Sequence, residues 1–381
     1  MTGEVKRGSK KRIPIKSISL ILSFLALIYI VLAILTGSPM LFLSGLDSIF
    51  SRNSAKMANE YFFDIGRARS FAAFDSAVAS VGTLGLQVLD ADGNETLRDS
   101  FRMANPTIAV QNGRAVAYDI GGSAVRVFIE DEIIASLETS GTILSVSMNR
   151  NGWIAVCTQD GGINKGSVIV YDSEGRPEYK VSLVSGYVLC AALSEDNRYL
   201  AILNLTDSGS RIALYSLNSE NVDRVLDFPD TVILDIRYLS AGEILAVSTR
   251  SLFLLDRRNE TKLLYDFSER RLGGFEIGSA FAALHLLDHS VGHQGQLVVV
   301  DFSGRVSGRI DVDREIISMS PGNGYLAVLR IDGLVFYDTS LRTLPVSEEP
   351  ASTAATTGVL ALGNGAALVT NDHSAVTYRS R

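Results

Sequence analysis

The stretch GTILSVSMNRNGWIAVCTQDGGINKGSVIVYDSEGRPEYKVSL (141–183) decides the fold. It holds four short apolar runs. Three turn-forming clusters separate them: Asn-Arg-Asn-Gly after the first, Gln-Asp-Gly-Gly after the second and Asp-Ser-Glu-Gly after the third. Runs of that length, bounded by Gly, Asn and Asp, read as antiparallel strands joined by tight connections. The third run stops at Asp172, where an Asp side chain can bond turn amides while Gly175 tolerates positive φ.

The same order recurs along the chain. An apolar strand carries an alanine at Ala79, Ala117, Ala155, Ala201, Ala246, Ala283, Ala327 and Ala367, and the spacings are 38, 38, 46, 45, 37, 44 and 40 residues. After most of these strands comes a second apolar run ending in an acidic turn, as in GLQVLDADG (85–93), SLFLLDRRN (251–259), LVVVDFSG (297–304) and LVFYDTSL (334–341). Another strand precedes many alanines, as in GYVLCAALSEDN (186–197), and a fourth follows the hairpin, as in TKLLYDF (261–267). Repeats near forty residues built only from strands predict an all-β propeller of four-stranded antiparallel blades. One such sheet cannot hide both faces, but blades stacked around an axis bury each face against a neighbour. That explains why the inner strands are apolar without alternation. Alanine is expected where the blades converge. Eight blades are counted, with seven as the alternative. The last repeat (358–381) supplies only three strands, so EYFFDIGR (60–67) is expected to supply the missing outer strand and latch the ring.

Residues 17–46 contain no charged side chain, and Ser17–Thr36 is almost wholly apolar. As a helix that segment would span about 30 Å, the thickness of a bilayer's hydrocarbon core. Six Lys/Arg and one Glu precede it, which puts the N-terminus in the cytoplasm and the repeats outside. A cleaved signal peptide is the rival reading, but its apolar core would be shorter and end at a small-residue site. The organisation expected is therefore a basic tail (1–16), a transmembrane helix (17–36), a juxtamembrane tether (37–59) and the propeller (60–381). The tail carries a net charge of +5 and the whole chain −7, which leaves −12 on the rest. An acidic body of this kind excludes nucleic acid as a partner.

Candidate chemistry is sparse. His285, His289 and His293 have helical zinc-site spacing, but FAALHLLD (281–288) is a strand by register, so a solvated loop is the competing reading. Asp90, Asp92 and Glu95 resemble part of a calcium loop, yet they fall where the repeat demands a hairpin. Asn94, Asn204 and Asn259 begin glycan-acceptor triplets. Cys157 and Cys190 are read as small buried hydrophobes, with a disulfide between blades as the alternative. No nucleotide fingerprint, Gly-x-Ser-x-Gly or His-Glu-x-x-His motif occurs, so no cofactor and no catalytic residue is assigned.

The basic N-terminus, the apolar segment and the phrases NGWIAVCTQD (151–160), NRYLAILN (197–204), VILDIRYLSAGEILAVS (232–248) and GYLAVLRIDGLVFYD (324–338) together carry a resemblance. The chain is similar to single-pass proteins of Gram-positive, mostly clostridial, bacteria grouped as domain of unknown function 5711. The resemblance implies an extracytoplasmic propeller with no assigned activity. The WD40 signature is absent, and so are the repeated tryptophans of quinone-dependent propellers; any likeness to those groups is architectural. The function expected is a membrane-anchored binding or scaffold module for an envelope protein or cell-wall ligand. The alternatives are a sensory ectodomain working with a separate cytoplasmic partner, or an enzyme with a site at the channel mouth. Binding residues are expected on three second-to-third-strand loops that look longer than a hairpin needs: 158–167, 204–211 and 287–296. The candidates there are Asp160, Asn164, Lys165, Asp207, Arg211, His289 and His293.

Overall fold

The computed structural model describes residues 59–161, 164–239, 242–258, 260–289, 291–346, 356–363 and 365–380. The expected tail, transmembrane helix and almost all of the tether lie outside these residues.

The described chain forms eight four-stranded antiparallel sheets. Seven are continuous in sequence: blades 1 (68–99), 2 (106–138), 3 (142–183), 4 (187–229), 5 (233–266), 6 (271–312) and 7 (316–344). Blade 8 takes three strands, Gly358–Leu362, Ala366–Thr370 and Ser374–Arg379, from the end of the chain, and its outermost strand, Glu60–Phe62, from the beginning. Eight is thus the blade count, and the latch is as expected. Glu60, Tyr61 and Phe62 pair with Val376, Ala375 and Ser374. Past that strand Phe63 N–H donates to His373 O at 2.8 Å. Tyr61, Phe63 and Ile65 are buried between blades 8 and 1.

The first strands of neighbouring blades, those of blades 5 and 6 apart, pack against one another around the axis. First-to-second and third-to-fourth hairpins therefore emerge at one end of the ring, the hairpin face. Second-to-third loops and blade-to-blade connections emerge at the other, the connection face. The core is not a single cluster. Eight apolar clusters each join two neighbouring blades. Each sheet is buried on both sides, so every second strand is predominantly apolar.

All eight repeat alanines are completely buried on second strands. They do not all occupy one register, however. Ala79, Ala155, Ala201, Ala283 and Ala327 face the following blade. Ala117, Ala246 and Ala367 are offset by one residue and face the preceding blade, while Val116, Leu245 and Leu368 take the other side. A strand buried on both faces tolerates this change of phase, because either face accepts an apolar side chain.

The acidic turns act as the sequence implies. Oδ1 of Asp90, Asp172, Asp256, Asp301 and Asp338 each accepts the N–H groups two and four residues ahead, at 2.8–3.0 Å. The Ser303 hydroxyl, assisted by turn amides, holds Asp301 below the usual carboxylate range, and Ser340 does the same for Asp338. At Asp90 the dominant cause is the Asn94 amide. That carboxylate is thus committed to its own hairpin, which accounts for the calcium-like residues. The turns at Asp90, Asp301 and Asp338 are held by ionised groups and loosen only as pH falls below about 4.

One element departs from expectation. The segment 204–211 is not a long loop. The second and third strands of blade 4, Tyr199–Thr206 and Gly209–Ser216, run on into a two-residue turn at Asp207 and Ser208. Polar Asn, Thr and Ser at these strand ends resemble a loop in composition, but they keep the ladder. Gly209 supplies the positive φ (146°) that the turn requires.

Candidate functional sites: a patch on the connection face and an axial cavity

The sequence-derived candidates all belong to the connection face, but they do not converge. Asp160, Asn164 and Lys165 lie between the second and third strands of blade 3, and Asp207 and Arg211 lie at the corresponding turn of the neighbouring blade 4. His289 and His293 lie in blade 6, two blades further round. Asp160 Oδ1 accepts the Thr158 hydroxyl at 3.0 Å. Arg211 Nε is paired with Asp227 at 2.7 Å across the adjacent strand, so its charge is already matched.

The histidines form no metal centre. His285 sits on strand Phe281–Leu287, buried, with Nε2 unpartnered; burial, and secondarily His293, depress its pKa. His293 Nε2 instead approaches Glu315 at 3.6 Å. Among the described residues no group of three or more metal-type side chains is assembled. Asn204 is buried inside blade 4, so its acceptor triplet is closed to modification in the folded chain. Both cysteines are free thiols. Burial pushes Cys157 up to about 12, and burial together with Asp235 raises Cys190 well above the ordinary thiol value, so neither is an activated nucleophile.

What the candidate loops flank is an apolar patch. Among the described residues fourteen large apolar side chains are exposed. Eight of them lie at the connection face and five on outermost strands, whereas only Tyr199 lies at the hairpin end of an inner strand. Four of the eight belong to one neighbourhood: Val184 (65% exposed), Tyr187 (58%), Val232 (39%) and Leu234 (40%). They occupy the connections into blades 4 and 5 and the start of the first strands there. Backbone bonds tie the candidate loops to them. Lys165 N–H donates to Leu183 O at 2.8 Å, and Asp230 N–H donates to Ser208 O at 2.8 Å. Asp160, Asp207 and Asp230 give the rim an acidic bias, with Lys165 as the opposing charge. Exposed apolar side chains gathered beside polar loops are the usual composition of a docking site. These residues escaped sequence reasoning because valine or leucine at the start of a strand reads as core.

The second site lies on the axis, toward the hairpin face. A cavity of about 800 Å³ is walled by the first strands of blades 2 to 7 and the hairpins that follow them. Its apolar wall includes Val146, Leu193, Ile236, Ile277 and Phe302. Its polar groups include Ser145, Ser147, Arg150, Cys190, Glu195, Asp235, Arg237 and Glu243. Some of these knit blades together. Ser145 Oγ donates to Leu189 O at 3.0 Å, the Cys190 thiol points to Asp235 Oδ1 at 3.8 Å, and Arg237 Nη1 donates to Ile277 O at 3.2 Å. Ser145, Cys190 and Asp235 are spaced 45 residues apart and each follows a bulge at the same point of its strand. They form an axial set of bridges from one blade to the next.

This is a β-propeller of eight four-stranded blades, closed by its own N-terminal strand. The chain matches the model of a Family of unknown function (DUF5711) over residues 50–340, and it belongs to that family. No curated protein matches it. Among solved structures it is similar to the computationally designed Ika8 protein, with a TM-score of 0.63 and 11% identity over 84% of this chain and 99% of that one. It is also similar to the C-terminal WD40 domain of Sif2, with a TM-score of 0.61 and 14% identity over 85% and 99% of the two chains. At these identities the likeness is one of fold.

Proposed function

We propose that this protein is a membrane-tethered docking propeller, held outside the cytoplasm by residues 17–36, that binds an envelope protein through its connection face. The observation that carries the reading is the apolar patch of Val184, Tyr187, Val232 and Leu234 beside the loops of blades 3 and 4. Exposed aliphatic side chains around a tyrosine suit a protein surface better than a glycan, which would call for stacked aromatics and dense hydrogen-bonding groups. The acidic rim suits a partner with basic residues around an apolar anchor. The anchor rests on the uncharged stretch 17–46 and the basic residues before it.

The test has two parts. A C-terminal reporter that works only outside the cytoplasm should be active, and protease added to protoplasts should remove the propeller. A protected C-terminus would overturn the orientation. Next, the complex is purified from solubilised membranes with wild-type protein and with Tyr187→Asp/Leu234→Asp. Both positions are exposed, so the melting temperature should hold. The partner seen with wild type should be lost from the variant, a fall in affinity of at least about tenfold. Equal recovery would rule out this face.

A further inference from the structure

The repeats are alike enough that one departure stands out, at the first strand of blade 6, Arg271–Ile277. We propose that this strand is a gate on the axial cavity, hinged at Gly273 and Gly274 and held shut by Arg237 of blade 5. The device does not depend on the docking face.

The first strands of six blades carry a bulge at the same point, just before Ser70, Ser145, Cys190, Asp235, Gly274 and Ser318. In four of them the side chain after the bulge reaches the first strand of the next blade. Ser70 Oγ accepts the Ile108 N–H at 3.3 Å, and Ser145 Oγ donates to Leu189 O at 3.0 Å. The Cys190 thiol points to Asp235 Oδ1 at 3.8 Å, and Ser318 Oγ accepts the Val359 N–H at 3.2 Å. The series then fails on both sides of blade 6. Asp235 is taken up by Cys190, by the Ile236 N–H and by Arg237. Gly274 has no side chain with which to reach blade 7. Among the described residues, blade 6 alone has this bridge on neither side. The first strands of blades 5 and 6 also stand apart.

What crosses the gap is Arg237. Its Nη1 donates to Ile277 O at 3.2 Å, while Asp235 holds its Nε, also at 3.2 Å. The cavity lies against that contact: Asp235, Ile236 and Arg237 from blade 5 and Ile277, Gly278 and Ser279 from blade 6 are all on its wall. The Arg237 side chain is 50% exposed, so water competes for the bond. The other end of the strand is built to bend. Gly273 is the bulge residue, and a Cβ there would crowd Leu287 and His285 at 3.0–3.1 Å. Gly274 follows it, and two glycines inside a strand leave the backbone unusually free. His285, paired with Gly274, is buried with Nε2 unpartnered, so the closed state leaves one polar group unsatisfied. A bending point at one end, a single side-chain bond at the other and a cavity behind make this strand cheaper to open than its counterparts.

Amide hydrogen exchange on the solubilised full-length protein reads that opening. In wild type, after correction for intrinsic rates, Arg271–Ile277 should exchange at least about tenfold faster than Tyr187–Leu193 of blade 4 or Ile316–Pro321 of blade 7. Arg237→Met should speed exchange severalfold further, with the change confined to blade 6. Gly274→Ser places there the serine of blades 1, 3 and 7, and it has room, since a Cβ meets only Met319 Cε at 3.9 Å. It should slow exchange to the blade 4 rate. Cys190 stands on the cavity wall, so its modification by methyl methanethiosulfonate, followed by mass spectrometry, should slow severalfold in Gly274→Ser. Equal exchange in the three wild-type strands, or unchanged exchange in Gly274→Ser, would overturn the hinge. Unchanged modification of Cys190 in Gly274→Ser would overturn the gate. Should Arg237→Met lower the melting temperature of the whole ring, Gly274→Ser still decides both points.

Discussion

Ala155, Ala201, Ala246 and Ala327 are each completely buried, and each meets the side chains of a neighbouring blade. Replacing any of them with leucine inserts three carbons into a contact with no free volume, so each variant should lose about 1–3 kcal/mol of stability. Glu174, exposed in a turn, should accept change within about 0.5 kcal/mol. Denaturant melts of both classes check this, and equal tolerance would refute the packing. The alanines were legible because strands buried on both sides leave a strong apolar signal. Their phase was not, for the same reason: with both faces apolar, nothing in the sequence says which neighbour Ala246 meets. The axial residues were hidden differently. Asp235 and Arg237 alternate with apolar residues along one strand, and sequence cannot separate a side chain facing a channel from one facing solvent.

At the scale of elements, the turn aspartates and the latch could be read, while the blade 4 turn could not. Thr206, Asp207, Ser208 and Gly209 have loop composition, yet the ladder runs to the turn because each strand end still pairs. The latch was legible from arithmetic, since the last repeat is one strand short. Its stabilising power comes from ring closure. Strand Glu60–Phe62 brings three paired residues, and Tyr61, Phe63 and Ile65 fill the gap between blades 8 and 1. Removing residues 60–67 would leave the third strand of blade 8 as an open edge and uncover that cluster. The melting temperature should fall by many degrees, with loss concentrated at blades 8 and 1 in hydrogen exchange. An unchanged melt would mean that the ring closes without the latch. Blade 7 is the weakest of the others by the same logic, because its outermost strand is only Thr343–Leu344.

For the molecule as a whole, the two faces differ in kind. The hairpin face has hydrogen-bonded turns and the axial cavity. The connection face has most of the exposed apolar residues. That division follows from topology, which sends every blade-to-blade connection to one end, but the sequence alone could place only the loops and not the patch beside them. The central claim is that the connection face is the protein-docking surface. A photo-crosslinking residue installed in the native host at Tyr187 or Leu234, and separately at Glu174 or Glu220 in hairpin-face turns, tests it most directly. One discrete adduct, the same partner, is expected from Tyr187 and Leu234 and none from the other two positions. An adduct confined to Glu174 or Glu220, or equal adducts from both faces, would contradict it.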